Sequence, residues 1–216
     1  MKQLITRIAV CAVLFGFSLS LAAQSVALVS PGVMRFNDPN YGVSFRYPAA
    51  WTFAQDEPFY IPLSISLAGD SSSQSRPRAL VFAKSLPRVE AWPHTTFAGV
   101  GFGYDAHQVA SADACRGLAH SGDNPDGKID QTTIGGITYW HATSASAALG
   151  HGIEEDIYTT LAGNSAETCL RFDLAVQSVH VDGETPARAL SPRETGIIHQ
   201  SLHRVLSSVH IPAPTR

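Results

Sequence analysis

Apolar and polar residues alternate along most of this chain, and the alternation has the period of strands rather than helices. The sharpest instance is residues 40–51, NYGVSFRYPAAW. Val43, Phe45 and Tyr47 interleave with Ser44 and Arg46, the pattern of a half-buried strand. Asn40-Tyr41-Gly42 ahead of it is turn chemistry, because Asn and Gly tolerate a positive φ that other residues resist. Pro48 has no N–H to give a ladder, so the strand is expected to stop there. Trp51 follows and supplies a large apolar body for a core to close around.

The same period recurs downstream. Residues 61–67 place Ile61, Leu63, Ile65 and Leu67 at alternate positions, and residues 69–76 form a polar loop. Residues 79–83, ALVFA, are apolar throughout and read as a central strand covered on both faces. In residues 97–104, Gly99, Gly101 and Gly103 interleave with Val100, Phe102 and Tyr104. The spacing is not that of a dinucleotide-binding turn, so this run predicts a strand with close backbone approaches. Ser111 is placed to cap a short helix containing Cys115. Gly135-Gly136 signals a hairpin, and strands through Tyr139, through Ile157 and Leu161, and from Cys169 through Val176 make a meander.

The helical period appears once at length, near the end. Ser191, Pro192 and Glu194 form a helix start, and Ile198, Leu202, Val205, Leu206 and Val209 share a face. Strands dominate, so the expected class is α+β: an antiparallel sheet covered by helices. No internal repeat or linker divides the chain, and residues 35–212 are expected to form a single domain.

Residues 1–23 change the picture. Lys2 and Arg7 precede an apolar run that ends in Ala22-Ala23, the plan of a secretory signal peptide. The competing reading is a membrane anchor, but the run falls short of the ~20 residues that span a bilayer comfortably. A loose arm, residues 24–34, follows. The expected mature protein is soluble and exported, to the periplasm or the extracellular medium, with no stable membrane span after cleavage. Of 216 residues, 44% are hydrophobic and 15% charged, which suits a packed core. The formal net charge is −3, and losing Lys2 and Arg7 makes the mature chain more acidic still. No basic run points to nucleic acid. Cys115 and Cys169 are the two cysteines left after the leader, and export makes them a natural disulfide pair. The other reading is two separate thiols.

Candidate chemistry is sparse. His199 and His203 have the i, i+4 spacing of metal ligands, but the intervening sequence lacks the glutamate of a zinc-protease helix, so boundary histidines are the plainer reading. Asp123, Asn124, Asp126 and Asp130 suggest half of a calcium loop, yet Gly122 stands at the first ligand position and Thr133 where a bidentate glutamate belongs. Neither a metal nor any other cofactor is expected. Glu154, Glu155 and Asp156 form an acidic run beside His151. On a strand, Glu154 and Asp156 share one face and Glu155 takes the other. A solvated face is the default; with His141 and His151, however, Glu154 could serve an uncharacterised hydrolase if a cleft perturbed their pKa values.

YGVSFRYPAAW also resembles the opening of PsbP-like domains, which include exported bacterial lipoproteins. The resemblance is carried by Tyr41, Gly42, Phe45, Tyr47, Pro48 and Trp51. The later order of elements is similar too: a Gly-Gly hairpin, strands bearing Tyr139 and Tyr158, a strand from Cys169 and a terminal helix. The resemblance implies an α/β/α sandwich and binding roles rather than catalysis. The matched positions are structural, so no catalytic, cofactor or metal residue carries over. The expectation that results is a non-catalytic binding module for another exported or envelope protein, with a hydrolase or a small-ligand binder as alternatives.

Overall fold

The computed structural model describes residues 27–30, 32–54, 78–83, 95–120, 127–148, 151–163, 165–179 and 187–213. The leader, the expected strand at 61–67 and the polar loop at 69–76 lie outside them, as does the first part of the 121–130 turn.

The opening stretch folds into a hairpin. β2 (Val33–Asn37) pairs antiparallel with β3 (Ser44–Pro48), and Phe36 stands opposite Phe45. β1 (Ala27–Ser30), in the stretch read as a loose arm, joins β2 and completes a three-stranded sheet. Asp38 holds the turn between β2 and β3. Its carboxylate accepts from the Asn40 N–H at 2.9 Å and from Arg78 through two nitrogens, and the Tyr104 hydroxyl donates to it at 3.2 Å. Burial raises the Asp38 carboxyl, but the Arg78 and Asn40 hydrogen bonds outweigh it and hold the group below its usual range. Gly42 adopts φ +68, and a Cβ there would meet Pro212 at 2.8 Å. The turn glycine therefore serves both the backbone conformation and the close approach of the chain's end.

The main sheet has seven antiparallel strands, in the order β4 (Thr52–Ala54), β5 (Ala79–Ala83), β6 (Phe97–Gln108), β10 (Ser165–Val179), β9 (His151–Ala162), β8 (Ile137–Ala148) and β7 (Asp130–Ile134). Gly135 and Gly136, both at positive φ, close the hairpin between β7 and β8. One face of this sheet presents Val81, Phe102, Tyr104, Tyr139, Phe172 and Leu174. Against it pack the inner face of the small sheet, Trp51, and α2 (Pro192–Ser207) through Ile198, Leu202, Val205 and Leu206. Each such side chain contributes about 1.5–3 kcal/mol when removed from water. α2 begins as its sequence predicts: Ser191 is the N-cap, Pro192 occupies the first turn, and Glu194 completes the capping box. α1 (Ala112–Gly117), capped by Ser111, lies against β9 and β10 and is fastened by the Cys115–Cys169 disulfide, whose Cα atoms are 5.3 Å apart.

The expected antiparallel sheet covered by helices, an α/β/α sandwich, is not what forms. Among the described residues the protein is mostly β, with a seven-stranded and a three-stranded sheet and two helices. The reason is packing. Among the described residues, the apolar face of the β2–β3 hairpin takes area that an α+β sandwich would give to helices and shares this face with α2. On the opposite face, α1 is the described helix that lies against β9 and β10, and it has six residues.

Candidate functional site

The register of the meander decides which candidate residues meet. In β9, Asp156 lies opposite Leu174 of β10 and Thr143 of β8, while Tyr158 lies opposite His141. His141, Asp156 and Tyr158 therefore share the sheet face that α2 crosses. His141 donates through Nε2 to Asp156 Oδ1 at 3.2 Å, and its ring stacks on Tyr158 at 4.4 Å. From α2, His199 Nδ1 approaches Asp156 Oδ2 at 3.5 Å. His203, one turn on, sets its ring edge-on to Tyr158 at 6.1 Å. One carboxylate is thus held between two imidazoles from two different elements.

The electrostatics follow from that arrangement. Burial raises the Asp156 carboxyl, but the hydrogen bonds from His141 and His199 outweigh it and hold the group well below the usual carboxylate range. The hydrogen bond to Asp156 raises His199 above its ordinary value, while burial lowers His203. An open pocket of about 490 Å³ adjoins the cluster, with Thr143, Ala145, Glu154, Asp156 and His199 in its lining. Both Asp156 oxygens are engaged by imidazoles, so the carboxylate that the pocket offers to solvent is that of Glu154, which is exposed.

The residues singled out in the sequence are redistributed. The acidic run splits as its alternation predicts, but the expected solvated face holds only for Glu154: Asp156 is half-buried and Glu155 is buried. His141 joins Asp156 rather than Glu154. His151 takes a strand position at the start of β9, opposite Ala148. His199 and His203 point toward the sheet, one to Asp156 and the other to Tyr158. Among the described residues no group of three or more His, Cys, Asp or Glu side chains is placed to hold a metal. Of the suggested calcium loop, Asp123, Asn124 and Asp126 lie outside the described residues, and Asp130 pairs with Lys128 at 2.8 Å.

The other face of the sheet holds a second polar group that alternation concealed. Arg171 and Asp173, two apart on β10, point away from Phe172 and are fully buried. Arg171 donates to Asp173 through Nε and Nη2, the latter at 2.8 Å, and through Nη1 to the Leu118 carbonyl at 3.1 Å. Burial pushes the Asp173 carboxyl upward against the pull of Arg171. Asp105, opposite Arg171 on β6, is raised by burial as well. The glycine run explains itself here: Gly99, Gly101 and Gly103 stand opposite Gln177, Ala175 and Asp173, leaving β6 without side chains beside them. A buried pair of this kind is weak evidence for stability and strong evidence that neither partner can be removed alone. An Arg and an Asp at i, i+2 within the otherwise apolar stretch 169–176 was the available signal.

No protein-family model and no curated protein matches this chain. Among solved structures it is similar to a protein from Bacteroides thetaiotaomicron VPI-5482, with 12% identity and a TM-score of 0.43, over 82% of this chain and 48% of that one. The chain thus spans about half the length of that protein. It is also similar to LpqN, described as involved in cell envelope biogenesis of Mycobacterium tuberculosis, with 10% identity and a TM-score of 0.42, over 83% of this chain and 92% of that one. Likenesses of this size carry no function to the chain. The PsbP-like resemblance of the opening motif is matched by no family model.

Proposed function

We propose that this is an exported, disulfide-bonded binding module whose pocket beside β8, β9 and α2 receives a cationic side chain, lysine or arginine, of an envelope protein. The observation that carries the reading is the pocket lining, which brings together Glu154, Asp156 and His199. Asp156 is committed to His141 and His199, which fixes it in place. Glu154 remains exposed and able to pair with an incoming cation. The leader supports export, and a disulfide is at home in an oxidising compartment. No helix among the described residues is long and apolar enough to cross a membrane.

The hydrolase alternative keeps one observation in its favour, the His141–Asp156 hydrogen bond, which has the orienting geometry of an acid–base pair. One comparison separates the two. The exported protein is immobilised and challenged with detergent-solubilised envelope proteins, and then with a broad panel of ester, amide and phosphoester substrates. The binding reading expects Glu154→Lys to abolish capture of a discrete protein while leaving the melting temperature unchanged. Turnover that survives Glu154→Lys and disappears in both His141→Ala and Asp156→Asn would replace it with the hydrolase.

A further inference from the structure

A second surface, on the far side of α2, has the opposite charge. Arg35 of β2 and Arg46 of β3 stand directly opposite each other on the outer face of the small sheet, and both are exposed. Like charges in that position oppose pairing. Arg46 also lines a groove of about 360 Å³ between the small sheet and α2, and Arg204 lines it from the helix. An adjoining pocket of about 240 Å³ shares Arg46 and Ser208 and adds Arg35 and His210. Among the described residues no Asp or Glu lines either space, and no ion pair joins Arg35, Arg46 or Arg204 to a carboxylate. Arg204 by itself is ordinary, since a cation in the last turn suits the helix dipole. Two guanidinium groups on one groove with no described carboxylate beside them, and a third in the adjoining pocket, where Arg35 donates to the Ser44 hydroxyl at 2.9 Å, are not explained that way on a chain of net negative charge.

The backbone around the groove is fixed. Ser208 accepts from the Arg46 N–H at 2.8 Å and donates to the Arg46 carbonyl at 3.1 Å, and Ser44 and His210 exchange two backbone hydrogen bonds. The helix end and β3 therefore hold Arg46 and Arg204 on one rigid frame. Val33, Tyr47, Pro48 and Val205 supply an apolar wall beside the charges.

We propose that this groove binds a phosphate group carried on an apolar body. Guanidinium forks match oxyanions in two-point geometry, and Arg46 and Arg204 together, with Arg35 in the adjoining pocket, offer more donors than the two oxygens of a carboxylate can accept. The apolar wall takes the remainder of the ligand. A phospholipid headgroup and a soluble phosphate ester share this chemistry, and two arms of one experiment distinguish them. The exported protein is sedimented with phosphatidylcholine vesicles, with and without phosphatidylglycerol, and titrated in parallel with glycerol 3-phosphate by calorimetry. Wild type is expected to bind one of these probes, less tightly as salt is raised. Binding to the phosphatidylglycerol vesicles alone assigns a lipid; binding to glycerol 3-phosphate assigns a soluble ester. Arg46→Gln with Arg204→Gln should weaken either by about tenfold or more, since each removes a charge-assisted contact. Arg193→Gln, on α2 outside the groove, is expected to bind like wild type, and all variants to melt with it. The proposal is overturned if wild type binds neither probe, or if the double variant binds as tightly as wild type.

Discussion

Trp51 gives the sharpest test of the opening motif as the organiser of the core. It is 4% exposed and belongs to the cluster formed by Phe45, Tyr47, the main sheet and α2. Its indole N–H, however, is buried with no hydrogen-bond partner among the described residues. Two substitutions therefore separate two effects. Trp51→Ala removes the ring and leaves a cavity, at a cost of about 3–5 kcal/mol. That is a large share of the ~5–15 kcal/mol that holds a domain of this kind together. In a domain of this size each kcal/mol lowers Tm by about 2–4 °C, so Trp51→Ala should lose about 6–20 °C. Trp51→Phe keeps most of the apolar contact and deletes the unpaired donor, whose burial costs about 1–3 kcal/mol. The loss of packing and the relief of the donor oppose each other, so Trp51→Phe should stay within about 1 kcal/mol of wild type. Urea unfolding of the oxidised protein measures both, and an unchanged m-value would show that the mutants unfold from the same state. A Trp51→Ala protein as stable as wild type would refute the role given to the motif. Equal losses in the two variants would refute the reading of the indole N–H.

Two further outcomes follow from the same structure. The disulfide closes a loop with a sequence separation of 54, so replacing Cys115 and Cys169 together by Ala should cost about 4 kcal/mol in the chain-entropy account; two free thiols in unreduced, unfolded protein would contradict the bridge. The Asp156 cluster should make stability depend on pH. Asp156, depressed below its ordinary 3.8, contributes above that pH and loses its contribution as pH falls through its folded value. His199, raised above 6.5, contributes fully below 6.5 and loses its contribution as pH rises through its folded value. His203, lowered by burial, works against the fold as pH drops below 6.5. Because the groups are partly exposed, Asp156→Asn should cost about 1 kcal/mol or less near pH 5–6, with the loss shrinking on either side; a difference that grows steadily toward pH 9 would exclude the pairing with His199.

What the chain determines locally, it announces. The Asn40–Gly42 turn, the alternation through Tyr47, the stop at Pro48, the Gly135-Gly136 hairpin and the Ser191–Pro192–Glu194 helix start all appear where neighbouring residues place them, because each depends on contacts a few residues apart. The fate of each face is not local. The same alternation that put Phe172 and Leu174 in the core put Arg171 and Asp173 on a face that reads as solvent and is buried. Among the described residues the small sheet shares the apolar face of the main sheet with α2, because what covers an apolar face is decided by which element fits it, not by the face itself. The site has the same origin. Glu154 and Asp156 are two apart in sequence and share a face, as alternation requires. The meeting of Asp156 with His141, 15 residues away, and with His199 on α2 depends on strand register and on where the helix crosses the sheet. Only the packed tertiary structure decides those distances, since no short-range preference specifies them.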